Sequence, residues 1–113
     1  MADQVVRKCF IREQSPIARI AAWKLGAPGV AIVIGRTIHL HNASRQQFLK
    51  NRRWVRHELA HLDQFKKYGW LRFISLYLLE SLRRGYQNNK FEVEARMAEN
   101  DLGIESRYLV SDS

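Results

Sequence analysis

Cysteine is nearly missing from this sequence: Cys9 is the only one in 113 residues. That excludes an intrachain disulfide and any metal site built from several thiolates. Long apolar runs are missing too. The most apolar stretch, residues 70–79, is interrupted by Arg72 and has about half the length a membrane span needs. The N-terminus carries Asp3, Arg7 and Lys8 with no apolar segment behind them, unlike a secretory leader. There is no internal repeat, low-complexity tract or Pro/Gly/Ser-rich linker. Together these absences predict one domain over residues 1–113, soluble and cytoplasmic, with no transmembrane segment. Acidic residues are also scarce, eleven against nineteen lysines and arginines, for a net charge of +8. Such a balance suits nucleic acid or an anionic membrane, but the basic residues are dispersed along the chain, and a solvated basic surface is the favoured reading.

Enough apolar material is present for a core. The apolar fraction is 46%, and three Trp, four Tyr and five Phe make twelve aromatic residues. Residues 5–11 read as a strand. Ser15-Pro16 starts a helix over 16–25, with Ile17, Ile20, Ala21 and Leu25 at helical spacing and Gly26 at its end. Residues 30–34 and 37–41 are β-rich and joined by Gly35-Arg36, the pattern of a type II′ hairpin. On the second run Ile38 and Leu40 share one face, and Thr37, His39 and His41 the other. A helical pattern then runs over 44–68, with Phe48, Val55, Leu59 and Leu62 as its stripe and Gly69 closing it. Further helices are predicted over 70–84, ended by Gly85, and over 91–101, after a break at Asn88-Asn89. A polar tail, residues 102–113, follows. The predicted class is α+β.

The chemistry is concentrated in His57-Glu58-Leu59-Ala60-His61, an H-E-x-x-H inside the long helical pattern. Residues four apart lie one above the other on a helix, so both imidazoles can reach one metal ion. Glu58, rotated by about 100°, is better placed for a water on that metal than for the metal itself. A catalytic zinc site needs three protein ligands and an open position. Five residues are candidates for the third: His39, His41, Glu92, Glu94 and Glu99. Glu92 and Glu94 stand about 200° apart on a helix, so only one of them can face the metal.

H-E-L-A-H followed, one helix later, by Phe91-Glu92-Val93-Glu94-Ala95-Arg96 resembles the gluzincin zinc metallopeptidases, and in size the compact minigluzincins. The likeness covers about residues 30–101. It implies a zincin-like fold, with a small β-hairpin or sheet beside an active-site helix and a C-terminal glutamate helix. It implies Zn2+ held by His57, His61 and Glu92, with Glu58 as general base in the hydrolysis of a peptide or protein substrate. Arg96 departs from the pattern: several gluzincins carry there an aspartate that supports a metal-binding histidine, a role left here to Asp63 or Glu99. The resemblance further implies substrate pairing on a strand above the site, for which the His39–His41 strand is the candidate. It also implies a latent form in which residues 105–113, Asp112 among them, lie over the zinc. Tyr86 is the candidate oxyanion donor. The alternative is a zinc-stabilised binding module, without turnover, whose basic surface contacts nucleic acid or protein. For residues 70–79, a buried helix behind the active-site helix is favoured over peripheral contact with an anionic membrane.

Overall fold

The computed structural model describes residues 6–27 and 29–111. Strand β1 (Arg7–Arg12) is followed by α1 (Pro16–Leu25) and the hairpin of β2 (Val30–Ile34) and β3 (Thr37–His41). Then come α2 (Arg45–Lys50), α3 (Arg52–Tyr68), α4 (Trp70–Asn88) and α5 (Lys90–Ala98). A 3-10 helix (Leu102–Arg107) leads into the short strand β4 (Tyr108–Val110). The chain is α+β. Its sheet has the order β2-β3-β1-β4, with β2 antiparallel to β3 and β1 parallel to both β3 and β4.

Local chemistry sets most element ends as the sequence predicts. Ser15 caps α1 by accepting from the Ala18 N–H, Pro16 stands in the first turn, and Gly26 closes the helix at φ 65°. Gly35 turns the hairpin at φ 65°. A side chain there would run into the Trp70 indole, so this glycine serves both the turn and the packing. At Gly85 φ is 79°, which breaks α4 one turn before its end.

Four expectations are corrected. The pattern over 44–68 is two helices, because Asn51 leaves helical geometry (ψ 87°) and caps α3 by accepting from the Trp54 N–H. The apolar stripe read for α1 faces outward. Ala18 and Ala22 are its buried residues, whereas Ile17, Ile20 and Leu25 are exposed and Trp23 is 80% exposed. The two small side chains let the helix lie close over the sheet, where the Ser15 hydroxyl meets the buried His39 Nδ1 at 2.9 Å. His39 is therefore a buried, hydrogen-bonded residue instead of a solvated one, and it is not part of the His57–His61–Glu92 cluster. The strand carrying His39 and His41 is bonded on both sides, by β2 and β1, so it has no free edge for a peptide; that edge belongs to β2.

The fourth correction concerns the tail. Ile104 is buried, Glu105 pairs with Arg56 and Arg52, and β4 extends the sheet beside β1. Residues 102–110 thus belong to the fold rather than covering the site. Asp112 lies outside the described residues.

Side chains alternate across a strand, so the two faces of β3 go to different layers. His39 meets the start of α1, while Ile38 and Leu40 join the core with Phe48, Val55, Leu59 and Leu62. Phe65, Phe73 and Phe91 extend that core between α3, α4 and α5, with ring centroids 4.7 and 5.1 Å apart. Each buried ring is worth about 1.5–3 kcal/mol, and together they fix how α5 lies against α3. Asn89, fully buried, completes the corner. Its amide donates to the Tyr77 carbonyl (3.0 Å) and Ser81 Oγ (2.9 Å), and its oxygen accepts from the Phe91 N–H (2.8 Å). The residue after Phe91 is Glu92.

Candidate metal centre

Helix α3 presents His57 and His61 one turn apart, and α5 brings Glu92 against them. Among the described residues these three place their ligand atoms within 4.8 Å of one another. Both imidazoles aim at the same carboxylate oxygen: His57 Nε2 lies 3.0 Å and His61 Nε2 3.3 Å from Glu92 Oε1. Ligands of a tetrahedral ion about 2.0–2.1 Å away lie about 3.3 Å apart, so the spacing suits a shared ion.

The surrounding side chains decide which atoms point at that spot. Gln64 Nε2 donates to the Phe91 carbonyl (3.0 Å) and to Glu94 Oε1 (2.9 Å), both pure acceptors, so the amide oxygen faces His61. It lies 2.8 Å from His61 Nδ1, which must carry the hydrogen. His57 Nδ1 lies 2.9 Å from Glu99 Oε2, a carboxylate that can only accept. In the neutral rings both Nε2 atoms are therefore bare. In that form two imidazole lone pairs and a carboxylate oxygen converge, an arrangement that a metal ion, or protons on the rings, would satisfy. The Tyr77 hydroxyl donates to the other Glu92 oxygen, Oε2, at 2.5 Å, leaving Oε1 to that ion or those protons. The donor set fits a divalent metal ion of the imidazole-and-carboxylate kind.

The electrostatics agree. Burial works against charge on His57, but the hydrogen bond to Glu92 and the nearby Glu58 and Glu99 carboxylates outweigh it and raise its pKa to about 9. His61 is raised likewise, against burial, by Glu92 and Glu58. Burial would raise Glu92, yet bonds from His57, His61 and Tyr77 hold it well below the usual carboxylate range. Without a metal, protons take the cation's place.

Glu58 is buried beside this cluster and not within it. Burial pushes its pKa up to about 7, against the pull of His61 and His57 and a hydrogen bond from Trp54. With His57, Trp54, Tyr86 and Glu99 it lines a cleft of about 670 Å³ that is also lined by Gly29, Val30 and Ala31, at the start of the edge strand β2. Burial, with the Glu92 and Glu58 charges, keeps the Tyr86 hydroxyl protonated far above its ordinary range.

The structure thus brings together His57, His61, Glu92 and Glu58 and sends the rival ligands elsewhere. Glu94 holds Gln64, Glu99 holds His57, and His39 lies under α1. Asp63 accepts from Arg107 and Tyr108 and supports no histidine. Arg96 donates to the Gln87 carbonyl and supports no histidine. Of the acids, Glu99 is the one that bonds a ring Nδ1, that of His57, with its main-chain carbonyl held by Arg56 (2.6 Å) and its side chain by Arg53 (3.2 Å). Gln64 and Tyr77 were not predicted as site residues. Gln64 carries a local signal, standing three residues after His61 on the same helix face. Tyr77 carries none beyond being a polar-tipped residue in an apolar helix.

Partners of this kind are worth about 10–100-fold in metal affinity. Glu99→Ala and Gln64→Ala are each expected to weaken metal binding by that factor without changing the stoichiometry, as read by competition with a chromogenic chelator. Unchanged affinity in both would mean that the histidine orientation is set by packing alone.

No family model matches the chain, and no curated protein and no solved structure matches it.

Proposed function

We propose that this chain is a zinc-dependent peptidase. The reading is supported above all by the convergence of His57 Nε2, His61 Nε2 and Glu92 Oε1 on one point, beside a buried carboxyl at the wall of an open cleft. His57, His61 and Glu92 would hold the zinc, which would supply Lewis acidity towards a carbonyl and make a water more acidic. Glu58, with a pKa near neutrality, takes a proton from the attacking water and returns it to the nitrogen of the leaving amine. The Tyr86 O–H is the donor for the oxyanion that develops on the scissile carbonyl. An extended substrate lies along the outer edge of β2, where Val30 and Ala31 face the cleft and main-chain groups are unpaired by any other strand of the sheet.

The test is loss and recovery. The purified protein should carry one zinc per chain and cleave unstructured fluorogenic peptides. A chelator should abolish cleavage, and one equivalent of zinc should restore it. A zinc-loaded chain that cleaves none of a broad peptide set would sink the enzyme reading and favour the binding module.

A further inference from the structure

Helix α4 is only half used by the fold. Its buried residues are Phe73 and Glu80, and Tyr77 points inward to Glu92. The opposite side carries Leu71, Leu78 and Leu82, which lie within about 20° of one direction on the helix. They are 84%, 56% and 86% exposed. Leu79, half exposed, widens the stripe. A leucine crest of this kind on a folded chain marks an interaction surface.

Charge decides what covers it. Arg72 and Arg83 stand on one flank of the crest, about 100–120° from Leu71, and Trp70 on the other. The single acid of α4, Glu80, is buried and bonded to the Lys90 N–H, so the outer part of the helix presents only positive charge. At its N-terminal end a small cavity is lined by Arg7, Lys8, Arg36 and Lys66 around the Trp70 ring. A second copy on this face would bring arginine against arginine. An anionic bilayer complements both features. Leucines enter the acyl boundary, an indole sits at headgroup level, and arginines and lysines meet lipid phosphates. No helix among the described residues is long and apolar enough to cross a membrane, so the contact is peripheral. We infer that the outer face of α4 docks the protein on anionic lipid membranes, independently of any catalysis.

Co-sedimentation with vesicles tests this on the full chain. Vesicles of phosphatidylcholine with about 30 mol % phosphatidylserine should bind the protein at least about tenfold more than phosphatidylcholine alone, and about 0.5 M salt should remove most of the difference. The combined Leu71→Ser, Leu78→Ser, Leu82→Ser variant should lose at least about tenfold in binding to the anionic vesicles. Its thermal midpoint should stay unchanged, because these side chains are exposed. Arg72→Glu with Arg83→Glu should lose as much. Binding that is independent of phosphatidylserine, or unchanged in both variants, overturns the proposal. So does loss with Trp23→Ser on α1 but not with the leucine variant. A dimer in solution that the leucine variant converts to monomer would assign the crest to a second copy instead.

Discussion

Glu58→Gln is expected to lower peptide hydrolysis by at least about 100-fold, within the range general acid–base catalysis supplies, while the chain keeps its metal. The two effects separate because Glu58 is not among the three converging ligand residues. Its carboxyl is buried, and its pKa stands near 7 instead of 4.5. Glutamine fills the same volume and can still accept from Trp54, but cannot take a proton from water. A stability measurement checks the same residue without activity. A carboxyl whose folded pKa is raised costs stability that sets in above its ordinary value of 4.5 and is complete above about 7. The metal-free wild type should therefore lose thermal stability between pH 4.5 and 7 relative to Glu58→Gln. Hydrolysis persisting in the variant, with zinc bound, would remove Glu58 from the chemistry.

What the sequence made legible was local. Ser15-Pro16 and Gly26 bound α1 because capping is decided by a few adjacent residues, and Gly35 marks the hairpin for the same reason. The histidine pair was legible because His57 and His61 lie within one turn of one helix. Periodicity allowed only one of Glu92 and Glu94 to face the metal, and the family resemblance favoured Glu92. The rotation of α5 that delivers Glu92, and turns Glu94 to Gln64, comes from Phe73, Phe91 and Asn89 packing at the α4–α5 corner. That packing joins residues from separate helices and leaves no periodic trace. The supports were harder still. Glu99 reaches His57 across 42 positions, a contact set by where α5 ends and where Arg56 holds it. The face of α1 was misread because periodicity reports apolar residues, whereas the sheet below selected small ones, Ala18 and Ala22. The same bias hid the exposed leucines of α4. An apolar stripe predicts burial only when something in the fold covers it.

Glu92→Gln is the second large effect. It should reduce metal affinity by more than about 100-fold, beyond what loss of a supporting partner costs. The amide can keep the Tyr77 bond through its oxygen and donate to one bare imidazole nitrogen through its NH2 group, so the three lone pairs no longer need a metal ion or ring protons. The folded chain survives, and the requirement for positive charge does not. That difference has a pH signature in metal-free protein. In the wild type His57 has its pKa raised from 6.5 to about 9, so it contributes stability fully present below pH 6.5 and lost as pH rises through about 9. Glu92, held below its ordinary 4.5, contributes stability present above that value and lost as pH falls beneath it. The thermal midpoint of the metal-free wild type should accordingly decline between pH 6.5 and 9, and that of Glu92→Gln should change less. Saturating zinc should reverse the wild-type trend over the same interval, because metal and protons compete for the same nitrogen atoms. Equal zinc content in wild type and Glu92→Gln, with parallel pH profiles, would take Glu92 out of the site and leave the two histidines without their third ligand.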